Sequence, residues 1–583
     1  MGRLHFHRRG QGSGRFEPDP GTVGRWIDQL PLGNTGETSR RLFEALVQLA
    51  NTPLSPRKRQ VILDRLAPVV ADCVASLQAR YRGKAFPLAP HNQRVAELTR
   101  ALWYQMARGC RQVALDLGQG RLHRRDAEPL GRAVHGALGY LGLVLLNTYQ
   151  VYLPCPKGTW QRIYGLHRLA QQKGVADLPI GDPLPPLAAH RISGLFRQIL
   201  LLALAGSYRL QPAETGRVYR NLATWAPAAE LRAVPQGDID GPFVVPLETD
   251  DPPGYPAILR HPEDGERLIL DPRPMTDRVL EARRSAAGND IEALDPSTVR
   301  RLLLGWGAMP ARRPRRRGTA DSRVVIGLSA LHHHLGGETL LQGIQHGSAG
   351  QQPAFDDGIR ETADVWMLAG IPGDREDTRI PPGEVMEFTL TDEPEPPARV
   401  PYPLRRWETL NTSDAGCCLL WLGQETDLAR VGDLVGIQPA DAPPGAELRV
   451  GIIRWLKCRT GHGMELGVER LAQRVRPVLV RPEQGDEPLP DFSPALMLDP
   501  PASGEPQSPV LITPSLPAYR IGRRLLMVEE GNELPVRLTR LVENTGLLFQ
   551  FRFEATGEAP VRSPAATDIP EDPRAFARLW EEL

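Results

Sequence analysis

The chain has 583 residues, room for three or four domains at about 150 residues each. Its 41% hydrophobic and 24% charged residues with a net charge of +1 exclude wholesale disorder, and they leave no global field to draw it onto nucleic acid or anionic lipid. The 56 glycines and 57 prolines exclude one long helical rod and call for short elements cut by turns. Six cysteines with no CxxC pair make neither a disulfide framework nor a zinc ribbon. The N-terminus is basic without an apolar core, and no apolar run approaches the roughly 20 residues of a membrane span. A cytoplasmic protein is expected.

Residues 1–25, rich in Gly, Arg and Pro, read as a flexible basic arm. From Trp26 to about Trp225 the apolar spacing is helical, as in Val61, Ile62, Leu66, Val69, Val70, Cys73, Val74 and Leu77. Prolines at 53, 87, 90, 154, 156, 179 and 212 fall between the stripes, where helices end. A helical domain over 26–226, a bundle or a solenoid, follows. Trp160, Tyr164, His167 and Leu169 are expected to be core residues.

After Pro227 the texture becomes strand-like, giving a small β module over 227–276. A helical connector with an Arg-rich segment occupies 277–318, followed by a strand at Val324–Leu328. His332, His333 and His334 are read as surface or pocket-edge residues, since three consecutive side chains cannot converge on one tetrahedral ion. Strand signals recur at Val385–Leu390 and dominate from Trp407 to Val480. A Pro-rich linker spans 482–509, and 510–583 holds a β-rich segment and an acidic tail. The fold class is α+β multidomain: a helical bundle or solenoid, then a small antiparallel β-barrel and accessory β segments.

No phosphate loop GxxxxGK(S/T), HExxH, GxSxG elbow or kinase motif occurs, so the expectation is a protein that is not an enzyme. The informative stretch is 405–472. Its strands alternate and are divided by turns at Asp414-Ala415-Gly416, Arg430–Asp433, Pro443-Pro444-Gly445 and Gly461–Gly463. Asn411-x-Ser413-x-x-Gly416 fits the (D/N)xSxxG motif, and Val450–Trp455 and Glu465–Val468 fit later strands, of the PilZ family, which this region resembles. The resemblance implies a small antiparallel β-barrel over 319–481 that binds cyclic di-GMP without transforming it.

The family's other element is an RxxxR motif just before the barrel, whose guanidinium groups hold phosphates and guanine edges. Two placements are open. Arg313-x-x-x-Arg317, with Arg312-x-x-x-Arg316 overlapping it, precedes the Val324 strand but lies much farther from Asn411 than the family pattern has it. That distance implies an insertion over about 333–400, which loop-closure entropy permits. Arg405 and Arg406, with Arg399 upstream, lie closer to Asn411 but do not spell the motif. Trp407, Trp421 and Trp455 are candidate base-stacking residues, with at least two of them expected in the core. The resemblance thus implies a bacterial signalling protein binding cyclic di-GMP, with no other cofactor and no metal, and relaying it to a partner through the helical domain. The alternative is an interaction scaffold whose barrel has lost the ligand.

Overall fold

The computed structural model describes residues 15–233, 241–258, 265–284, 294–307, 316–337, 402–426, 428–443, 445–459, 463–471, 474–483, 492–499 and 509–556. The helical part comprises α1 (Val23–Asp28), α2 (Thr35–Asn51), α3 (Pro56–Ala79), α4 (Pro90–Gly118), α5 (Ala127–Gln150), α6 (Thr159–Gln172), α7 (Ile192–Leu204) and α8 (Pro212–Trp225). Proline opens α3, α4 and α8 at a position whose N–H has no helical partner. The Asn34 side chain caps α2 by accepting from the Glu37 N–H at 3.1 Å.

At the centre lies α5, buried over nearly its whole length. By length and apolarity it would pass for a membrane span, but its most apolar window is 83% buried within the protein, which marks it as a core helix. The sequence reading takes Ala137–Leu146 as a short run broken by glycine. In the structure the glycines are packing sites instead. A Cβ on Gly139 would lie 2.3 Å from a Leu187 methyl carbon, and one on Gly142 2.7 Å from the Tyr219 hydroxyl. Trp160, Tyr164 and His167 are buried as expected, His167 stacking on Phe196 at 3.8 Å.

Part of the arm expected over residues 1–25 is folded, since α1 begins at Val23. Residues 1–14 lie outside the described residues, but Phe16 is buried against Trp26 with ring centroids 4.9 Å apart. The β module is a three-stranded antiparallel sheet, β1 (Glu230–Ala233), β2 (Phe243–Pro246) and β3 (Arg267–Asp271), in the order β1-β3-β2. Helices α9 (Arg273–Arg284) and α10 (Pro296–Trp306) form the connector.

Two closed six-stranded barrels follow. The middle barrel runs β4-β5-β6-β9-β8-β7, with β4 (Arg316–Ile326), β5 (Arg405–Ser413), β6 (Gly416–Trp421), β7 (Leu434–Pro439), β8 (Arg449–Cys458) and β9 (Met464–Arg470). Strand β4 begins inside the arginine run rather than at Val324 and ends at Ile326, where α11 (Leu328–His332) takes over. His332 is buried rather than at the surface, its Nε2 3.1 Å from the Val478 carbonyl of the next barrel. The expected insertion and the Val385–Leu390 strand fall mostly in residues 338–401, outside the described residues.

The C-terminal barrel is β10 (Val475–Pro482), β11 (Ser493–Leu498), β12 (Val510–Pro514), β13 (Arg524–Glu529), β14 (Asn532–Asn544) and β15 (Leu548–Ala555), in the order β10-β11-β12-β15-β14-β13. This corrects the sequence reading twice. Val475–Pro482 belongs to the second barrel, and the Pro-rich stretch read as linker contains β11, whose Ala495–Leu498 run is buried. The acidic end 571–583 lies outside the described residues.

Backbone and side-chain hydrogen bonds lock these parts together. Phe86, before α4, pairs with Ala429 of the middle barrel in both directions, at 2.8 and 2.9 Å, and the Cys458 N–H donates to the Tyr152 carbonyl at 2.9 Å. Gln211, at the N-terminus of α8, donates to the Val431 carbonyl of one barrel at 3.1 Å and to the Thr545 carbonyl of the other at 2.6 Å.

Candidate functional site

The Asn411-x-Ser413-x-x-Gly416 motif forms the end of β5, its turn and the start of β6. Ser413 Oγ donates to the Gly416 carbonyl at 3.2 Å, closing the turn. Gly416 is fixed by a close approach. A Cβ there would lie 1.9 Å from the Val468 carbonyl oxygen on β9, so a side chain at 416 would force β6 and β9 apart. Two of the three motif residues therefore build the hairpin, and Asn411 lies on β5 before it.

A bulge between Thr409 and Asn411 sets the orientation of Asn411. Before it, Trp407 and Thr409 point into the barrel, where both are buried. Beyond it, the register pairs Asn411 with Cys418, Cys418 with Gly467, and Gly467 with Trp455. Directly paired residues share a sheet face, so these four make a row across the outside of the barrel. Gly467 carries no side chain, and the Trp455 indole lies over it, with Nε1 only 1.7 Å from where a Cβ would be. The half-buried Trp455 is thus a platform about 14 Å around the barrel from Asn411, at three strand spacings. Trp407 and Trp421 instead pack against each other, centroids 5.2 Å apart, both buried. Of the three tryptophans, two are core and Trp455 is half-buried on the outer face.

The two arginine placements come out differently. The β4–β5 register puts Arg317 directly opposite Asn411 and Arg316 opposite Thr412. Chain closure through the barrel therefore restores the adjacency that the long sequence gap obscures. Arg312 and Arg313 lie outside the described residues. Arg405 and Arg406 open β5, eight residues and about 25 Å from Ser413 along the strand. Both are engaged there: Arg405 with Glu425 and Arg406 with Asp321. The Arg406 hydrogen bond holds the Asp321 carboxyl below its usual range. They are not brought to the motif.

Two further arginines, which sequence reasoning missed, stand at the motif end of the barrel. Arg449 and Arg470 begin β8 and end β9 and, with Thr412, Gly416, Cys417, Gly451 and Val468, line a cavity of about 190 Å³ at the barrel mouth. The Arg470 N–H donates to the Ala415 carbonyl in the motif turn at 2.8 Å. Burial pushes the Cys417 thiol up to about 11, with Cys418 adding to the rise and the two guanidinium groups opposing it. No signal in the linear sequence marks either arginine, since only barrel closure brings them to Gly416. Among the described residues no His/Cys/Asp/Glu cluster could hold a metal ion.

A closed six-stranded barrel with an Asn-x-Ser-x-x-Gly hairpin, an arginine opposite its asparagine and a small-residue face beside a tryptophan defines a PilZ-type protein. Domain models of one family match in succession: the cyclic-di-GMP receptor FimW N-terminal domain over residues 21–236, its middle PilZ domain over 242–477, and its C-terminal beta-barrel domain over 478–556. The chain belongs to this family. It is 26% identical to the cyclic-di-GMP receptor FimW of Pseudomonas aeruginosa over 97% of its own length and 96% of that protein's. No solved structure matches the chain.

Proposed function

We propose that this protein is a cyclic di-GMP receptor that binds the dinucleotide on the outer face of its middle barrel, performs no chemistry on it, and passes the signal to a partner protein. The observation that carries the reading is the register that sets Arg317 opposite Asn411, joining the two halves of the motif across β4 and β5. Arg313 and Arg317 supply charge for the phosphates and forked donors for the guanine edge. Asn411 hydrogen-bonds the base, Ser413 and Gly416 hold the turn, and Trp455 gives a base a face to stack on. Arg312 and Arg316 add to the local positive potential. The receptor name of the Pseudomonas aeruginosa relative, matched end to end, supports the same ligand.

The backbone bonds from Phe86 and Tyr152 and the side-chain bond from Gln211 into the middle barrel support a relay toward the helical domain, because a ligand held on that barrel acts on a body those residues already grip. The reading places the protein in the cytoplasm, with α5 inside the helical core. Calorimetric titration of the full chain with cyclic di-GMP tests it. The wild type binds, and Arg313→Ala/Arg317→Ala loses affinity by about 10- to 100-fold or more, the cost of charge-assisted contacts. Absence of heat from the wild type at high micromolar ligand overturns the receptor reading in favour of a scaffold.

A further inference from the structure

The C-terminal barrel contributes no residue to the site above, yet its outer surface is charged in an unusual way. Along β13, β14 and β15 the inward positions are apolar and buried, including Leu525, Val536, Leu538, Phe551 and Phe553. The alternate positions face out. There Arg524 pairs directly with Arg537, and Arg540 pairs directly with Arg552. Like charges directly opposite on neighbouring strands destabilise a sheet. The fold thus carries two such pairs with one carboxylate beside them: Glu554 reaches Arg537 at 3.4 Å, and among the described residues no carboxylate pairs with Arg524, Arg540 or Arg552. Two branched apolar side chains are exposed near them in the chain, Ile521 at 59%, three residues before Arg524, and Val542 at 47%, two after Arg540. The adjoining part of the barrel's outer surface is occupied, since Leu496, Leu498, Ile512 and Leu548 pack against Val325, Leu434 and Val450 of the middle barrel. Arg524 and Arg540 are exposed, and Arg552 is half-buried at the margin of that contact, paired with Val510.

We infer that this face, Arg524, Arg537, Arg540 and Arg552 with Ile521 and Val542, docks a carboxylate-rich segment of a partner protein. Charge complementarity requires an anion. Arginine beside exposed aliphatic side chains is the composition of a protein interface. Stacked nucleic-acid bases would need an aromatic platform, and the phenylalanines of β15 are turned inward or half-buried. With a net charge of +1, the chain has no long-range attraction to a lipid surface. The closed barrel has no free strand edge, so contact is through side chains, and guanidinium forks matching carboxylates provide it.

The test uses the full-length chain and a fluorescent peptide of alternating glutamate pairs and leucines, read by anisotropy at low and physiological salt. The wild type binds the peptide, more weakly as salt rises. Arg524→Gln/Arg540→Gln/Arg552→Gln binds roughly ten- to a hundred-fold more weakly, while its thermal unfolding midpoint is unchanged or higher because the like-charge pairs are gone. A control that removes three exposed charges elsewhere, Arg121→Gln/Arg124→Gln/Arg125→Gln, binds the peptide as the wild type does. The inference is overturned if the wild type ignores the peptide, or if the triple variant binds it undiminished. It is equally overturned if phosphatidylglycerol vesicles or single-stranded DNA prove the stronger ligand lost by the variant. None of these outcomes depends on cyclic di-GMP binding.

Discussion

Gly416→Ala separates the structural half of the motif from the recognition half. The Cβ it adds would sit 1.9 Å from the Val468 carbonyl oxygen, whereas heavy atoms in contact keep roughly 3 Å or more. Strands β6 and β9 must therefore part by about 1 Å, and the atom in the way is backbone, so no rotamer change relieves it. Overpacking of this kind costs about 1–3 kcal/mol, here concentrated in the β6–β9 ladder that runs from Gly416–Glu469 to Trp421–Met464. A single unfolding free energy is ill defined for a chain of several domains, so the suitable assay is native-state hydrogen exchange. Amides of β6 and β9 in Gly416→Ala exchange about 5- to 150-fold faster than in the wild type, and cyclic di-GMP affinity falls with them. Ser413→Ala removes one part-buried hydrogen bond of 3.2 Å and costs about 1 kcal/mol. If β6 and β9 exchange alike in Gly416→Ala and the wild type, the close approach does not set that glycine.

Trp455→Ala lowers cyclic di-GMP affinity by about 5- to 150-fold, the range for loss of one base stack, with little change in folding. Trp421→Ala, in the core against Trp407, instead costs about 3–5 kcal/mol of stability, and unfolding and titration curves of the two variants tell them apart. His135, His167 and His332 are each held down to about 4 by burial, from an ordinary value near 6.5. Their folded-state values lie below the unfolded one, so the unfolded chain binds the extra protons. Stability is full above about pH 6.5 and falls as pH drops toward 4, by up to about 3 kcal/mol per histidine. Far-UV circular dichroism melts across that window show the fall, and a flat profile refutes it. Gln211→Ala leaves the Val431 and Thr545 carbonyls without their shared donor. It costs about 1–3 kcal/mol, seen as faster exchange of the Leu547 and Leu548 amides.

The helical half was largely legible because a 3.6-residue apolar period and prolines at helix starts are local signals, as at Pro90 and Pro212. The motif hairpin was legible for the same reason, since turn chemistry and alternation sit in one short stretch. What the sequence hid is long-range. The partner of β5 is β4, on the far side of residues 338–401, and only the Arg317–Asn411 register shows which arginine pair neighbours the motif. Arg405 and Arg406 are close to Asn411 in sequence but distant along an extended strand. The second barrel was hidden because β11 is a short apolar run among prolines, and because a closed barrel leaves no linear trace of which strand seals it. Arg449 and Arg470 meet Gly416 only through closure.

The central claim is that the arginine run on β4, and not the pair opening β5, serves the Asn411 motif. The most direct measurement is the cyclic di-GMP affinity of Arg317→Ala beside that of Arg405→Ala/Arg406→Ala, on full-length protein by calorimetry. The account predicts a loss of about 10- to 100-fold for Arg317→Ala and wild-type affinity for the double variant. Undiminished binding by Arg317→Ala, with binding lost in Arg405→Ala/Arg406→Ala, would contradict it.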